Sequence, residues 1–112
     1  MKKRKLLLVD DMKEVHNKIT PDIRKRYEVD SVFNEQEALN RIKQNNYDLV
    51  ITDCQLSDSG FEGLNIIRAA RSKGFRTIMM SKGNYRKEAL RAGANGFIFK
   101  KENRGNEDLR KI

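Results

Sequence analysis

Apolar residues in this chain gather into short blocks separated by longer stretches in which apolar and charged positions alternate at helical spacing. Leu6-Leu7-Leu8-Val9, Leu49-Val50-Ile51, Ile78-Met79-Met80 and Phe97-Ile98-Phe99 contain no polar residue. Runs this short read as strands covered on both faces, which is the mark of a parallel sheet. The predicted strands are 5–9, 48–53, 77–81 and 96–99. A fifth, Val29 to Val32, alternates apolar and polar and so belongs near an edge of the sheet.

Helical spacing fills the gaps. Met12, Val15, Ile19 and Ile23 form a core-facing stripe that predicts a helix over residues 12–27. Pro21 lacks a backbone donor and crowds the preceding turn, so a kink or break is expected near Thr20, giving one bent helix or two shorter pieces. Asn34 reads as an N-cap with Glu37 completing a capping box, and Ala38, Leu39 and Ile42 face the core until Asn45-Asn46. Residues 54–63 are polar and glycine-containing and form a loop. Leu64, Ile67 and Ala70 or Arg71 mark a third helix that stops at Gly74, and Tyr85 to Ala92 a short fourth closed by Gly93. Between Lys101 and Ile112 only Leu109 and Ile112 are large and apolar, so any helix there is short or frayed. Strand and helix thus alternate five times without repeats or low-complexity segments, which is a three-layer α/β domain around a parallel sheet.

Composition narrows the picture. A chain of 112 residues makes a single domain, with a core at 5–103, a short tail at 104–112 and no separate output domain expected. No apolar run approaches the roughly 18 residues of a membrane span. The Met1 to Lys5 basic cluster and the leucines after it resemble a signal peptide only until Asp10-Asp11 cut the apolar run short. The single cysteine, Cys54, excludes an intramolecular disulfide, fits a reducing cytoplasm and reads as a buried structural thiol. The net charge is +8, yet Lys and Arg are spread through every helical stretch and only Lys2-Lys3-Arg4-Lys5 is dense. A solvated, salt-bridged surface is therefore expected, and nucleic acid is not an expected partner.

The chemistry lies at the strand ends. Parallel strands all finish on one edge, so Asp10, Asp11, Asp53, Ser81 and Lys100 must converge there. Singly, each is also what an N-cap, a turn or a surface charge uses. Together they make three acids, a hydroxyl and an ammonium. Crowded carboxylates repel unless a cation offsets them, and oxygen ligands favour Mg²⁺ or a similar hard ion such as Mn²⁺. A metal-bound aspartate is a nucleophile toward phosphoryl groups, with Lys100 and Ser81 placed to meet the transferring oxygens. An aspartyl phosphate at Asp53 is the expected product.

On these motifs the chain resembles the receiver domain of two-component response regulators. They are Val9-Asp10-Asp11, Asp48-Leu49-Val50-Ile51-Thr52-Asp53, Ser81, and Ala92-Gly93-Ala94-Asn95-Gly96-Phe97-Ile98-Phe99-Lys100. The resemblance implies a flavodoxin-like (βα)5 fold with strand order 2-1-3-4-5. It implies Asp53 as phosphoacceptor and Asp10, Asp11, Asp53 and the Gln55 backbone carbonyl as metal ligands. It also implies Ser81 and Lys100 as phosphoryl contacts and Phe97 as the aromatic that turns inward on activation. A histidine kinase or phosphotransfer protein is the implied donor, and a downstream protein the implied target. The chain is then a cytoplasmic signalling module, monomeric or weakly dimeric, and not an enzyme beyond its own phosphorylation and dephosphorylation. The alternative is a pseudo-receiver, a binding module independent of phosphorylation. Five departures stand out. Ser57 replaces a customary proline, and Glu62-Gly63 falls about two residues late, which lengthens the loop after Asp53. Lys82 puts a second cation beside Ser81. The stretch from Ser81 to Gly93 is about three residues short, which shrinks the fourth helix. Lys101 replaces the proline that usually follows the lysine.

Overall fold

The computed structural model describes residues 3–57 and 60–100, with only the backbone described at 19 and 20. Its elements run β1 (Arg4–Val9), α1 (Lys13–Ile23), β2 (Tyr27–Val32), α2 (Glu35–Gln44), β3 (Leu49–Asp53), α3 (Glu62–Ser72), β4 (Arg76–Ser81), α4 (Arg86–Ala92) and β5 (Gly96–Phe99). The strands form one sheet in the order β2-β1-β3-β4-β5, and every neighbouring pair is parallel. That is the flavodoxin-like topology. A helix after β5, the Lys101 departure, the core boundary at residue 103 and the tail all fall outside the described residues.

Side-chain alternation along the strands builds a core on each side of the sheet. Leu6, Leu8, Leu49 and Ile51 pack with Ile23 and Val15 of α1 on one face. On the other, Leu7, Val9 and Val50 meet Ala38 and Ile42 of α2 and Ile66 and Ala70 of α3. There α3 and α4 also enclose Cys54, Met79, Ala89 and Phe97. All five residues of β3 are buried, as a central parallel strand requires.

Local expectations are refined at three points. Of the two forms open to α1, the structure has the single helix, which continues through Pro21 to Ile23. Proline in the last turn forfeits a single hydrogen bond close to where the ladder ends anyway. The helix therefore stops before Tyr27, which opens β2 and buries its ring against Ile23 and Leu6. Met12 is not part of the core-facing stripe, being 45% exposed, and His16 is buried in its place. Asn34 does cap α2: its side chain accepts the Glu37 N–H at 2.9 Å, and Glu37 reaches back to the Phe33 N–H at 3.4 Å. Gly74 and Gly93 both end their helices with positive φ, where a side chain is strained.

Candidate functional site

The register of the sheet sets the site. Asp53, the last residue of β3, pairs with Met80, one residue before Ser81, and Ser81 pairs with Phe99, one residue before Lys100. Each step across the sheet thus delivers the next functional side chain to the same mouth.

Asp10, wholly buried, leaves β1 with its N–H donating to the Val32 carbonyl at 3.2 Å. Its Oδ1 accepts the Met12 N–H at 2.9 Å. Its carbonyl accepts from His16 Nε2 at 2.8 Å, and the His16 ring lies 4.5 Å from that of Phe33. Asp11 is exposed beside it, and an oxygen from each of Asp10, Asp11 and Asp53 lies within 4.8 Å of the others. Lys100 joins two of these acids. Its Nζ donates to Asp53 Oδ2 at 2.8 Å and forms an ion pair with Asp10 Oδ2. Since β4 separates β5 from β3, the lysine braces the mouth across two strand spacings.

The electrostatics follow from that crowding. Burial pushes the Asp53 carboxyl above its ordinary range, outweighing the hydrogen bond and charge of Lys100. Partial burial and then the Asp10 charge push Asp11 upward as well. Burial alone would lower Lys100, but its bonds to Asp10 and Asp53 outweigh it and hold the ammonium charged above its usual range. Oxygen donors set this close are a fit for a hard divalent cation of the Mg²⁺ type, since such an ion offsets the mutual repulsion.

Ser81 is buried at the end of β4, where its Oγ accepts the Gly83 N–H at 3.2 Å and its carbonyl accepts the Lys100 N–H at 2.8 Å. Phe97 is buried among Met79, Ala89 and Cys54, with Phe99 edge-on at 5.1 Å and the Arg86 guanidinium 5.5 Å from its ring centre. Gln55 is half-buried in the loop after β3. That loop is pinned at both ends. Glu62 accepts the Leu56 N–H at 3.3 Å, and its bond with the Ser57 hydroxyl holds its carboxyl below the usual range. Gly63 donates to the Cys54 carbonyl at 2.9 Å, and a Cβ there would lie 2.0 Å from the Asp53 carbonyl oxygen, so only glycine fits. The late Glu62-Gly63 pair therefore still returns to the end of β3. The fourth helix is short, at seven residues.

Thus Asp10, Asp11, Asp53 and Lys100 form one cluster, with Ser81 on the neighbouring strand end. His16 was not anticipated. Its signal was spacing: positions 12, 16, 19 and 23 keep the helical period as well as the stripe through Val15 does.

A family model for the response regulator receiver domain matches residues 6–111. The two-component response regulator PhoP of Pseudomonas aeruginosa is 34% identical over 102 residues, covering 86% of this chain and 44% of that protein. The chain thus spans less than half the length of that relative. A CheY-like receiver domain protein from Methanospirillum hungatei is 25% identical with a TM-score of 0.84, over 97% of this chain and 89% of the other. The response regulator protein TrrA of Thermotoga maritima, solved in complex with Mg²⁺-BeF, is 27% identical with a TM-score of 0.78, over 99% and 98% of the two chains.

Proposed function

The chain belongs to the response regulator receiver domain family, and from that premise we propose that it accepts a phosphoryl group on Asp53 and signals through it. The donor is a histidine kinase or phosphotransfer protein. An Asp53 carboxylate oxygen attacks the phosphorus of a phosphohistidine, a P–O bond forms as the P–N bond breaks, and the imidazole leaves. Hydrolysis later returns the carboxylate and releases phosphate. The observation that carries this proposal is the Lys100 ammonium, 2.8 Å from Asp53 Oδ2 and paired also with Asp10. It is a charge-assisted donor already aimed at the carboxylate that would carry the phosphoryl group.

Asp10, Asp11, Asp53 and the Gln55 carbonyl are the residues that would hold the divalent cation. Bound there, it supplies positive charge against the transferring oxygens. Lys100 neutralises the same charge from the β5 side. The Ser81 hydroxyl accepts the Gly83 N–H and keeps its own proton for the phosphoryl group, so a single side chain links the state of Asp53 to the loop before α4. Phe97, packed against Met79 and Ala89 with the Arg86 guanidinium of α4 over its ring, is placed to pass a change at the strand ends to the surface a downstream protein reads.

Incubation with Mg²⁺ and a small phosphodonor should give a phosphoryl mass increase in the wild type that Asp53→Asn lacks. A folded wild type with Mg²⁺ and no adduct would instead make the chain a phosphorylation-independent binding module.

A further inference from the structure

Along the sequence the basic residues look evenly spread, but folding gathers one group of them. β1 and β2 run parallel with Arg4 opposite Tyr27, and α1 ends at Ile23. Lys3-Arg4-Lys5 and Arg24-Lys25-Arg26 therefore meet at the edge of the sheet opposite the carboxylates. Between them lies an open cleft of about 640 Å³, lined by Lys3, Lys5, Arg24, Tyr27, Glu28 and Val29. Its buried members are Tyr27 and Val29, Glu28 is its one acid, and the Lys3 ammonium crosses to the Arg24 carbonyl at 2.7 Å.

We infer that this cleft and its basic rim bind the phosphodiester backbone of a nucleic acid without reading its sequence. Phosphate contacts need only positioned cations, and they carry no base information. A protein partner, by contrast, is anchored by exposed aromatic or aliphatic side chains. Among the described residues the exposed large apolar side chains are Met12, Phe33, Phe61 and Leu90, and none lines the cleft. The first three follow the carboxyl ends of β1, β2 and β3, on the Asp53 side. Binding at the cleft is independent of phosphorylation at Asp53.

The test is fluorescence anisotropy of a labelled duplex of arbitrary sequence with the whole chain. If the three cleft cations each neutralise one phosphate, log K falls against log salt with a slope of about −2.7, a loss of about 40-fold between roughly 50 and 200 mM. Lys3→Glu with Arg24→Glu should weaken binding at least about tenfold at the lower salt. Lys87→Glu with Arg91→Glu makes the same change in net charge on α4 and should alter it by less than about twofold. Should the first pair misfold by circular dichroism, Arg4→Glu with Lys25→Glu at the rim replaces it. No binding at low salt would overturn the inference, and so would equal losses in the cleft and α4 variants. Stronger competition by polyglutamate than by unlabelled duplex, at equal charge, would assign the cleft to an acidic protein instead.

Discussion

Lys100 is the residue on which the site's electrostatics turn. Its ammonium meets both Asp53 and Asp10 and is almost buried with them, its side chain being 10% exposed. Removing it leaves carboxylates in a poorly solvated mouth without their counter-charge. Lys100→Met is therefore expected to lower stability by about 3 kcal/mol. Added Mg²⁺ should restore more stability to the variant than it adds to the wild type, because binding to the folded state alone is stabilising. Urea unfolding with and without Mg²⁺ measures both effects. Equal responses to the metal in the two proteins would show that lysine and cation do not share the same acids. At this scale the site was legible because each residue ends an apolar run, and the end of such a run in a parallel sheet has only one edge to occupy. His16 was not, because a histidine beside a helical stripe shows its use only when the strand end it contacts, Asp10, is in place. The role of Gly63 was half legible: its displacement could be read along the chain, but its 2.0 Å approach to the Asp53 carbonyl belongs to the packing of α3 on β3.

Elements were most legible where both faces of a strand are buried, as in β1, β3 and β4. The errors lie at ends decided by tertiary packing. Tyr27 extends the helical pattern of α1 on paper, but pairing opposite Arg4 beside β1 draws it into the sheet. Pro21 lies within a continuous helix two residues from its end, where the lost hydrogen bond costs least. The α2 cap was readable at Asn34, which accepts the Glu37 N–H, whereas the return bond from Glu37 goes to the Phe33 N–H and not to that of Asn34. Asn34→Ala should cost about 1 kcal/mol through loss of the Glu37 N–H acceptor. Thermal unfolding checks this, and a change within error would mean that solvent satisfies that donor equally well. Because α2 packs on β1 and β3 and not against the acids, the same variant should keep the phosphorylation rate of the wild type.

For the whole molecule the topology was legible, while the distribution of charge was not, because spread along a chain says little about spread in space once crossovers bring distant segments together. Stability as a function of pH is a property at this scale. Burial, together with the charges of Asp53, Glu88 and Glu62, pushes the Cys54 thiol from 9.0 up to about 11. The folded thiol keeps its proton where the unfolded one loses it, so stability falls as pH rises through that interval. Lys100, raised above 10.5, adds a contribution complete below that value and lost above it. Denaturant midpoints should thus decline steadily on the alkaline side of pH 9.0, the ordinary thiol value, and a flat profile there would contradict the burial of both groups. The parallel sheet has one further consequence. Because every strand points the same way, the Asp10, Asp11 and Asp53 cluster lies at the carboxyl ends of the strands and the cleft of Lys3, Lys5 and Arg24 at their amino ends, so the two surfaces face apart. A polyanion held at that cleft would leave the Asp53 mouth facing open solvent, unobstructed while the molecule is tethered.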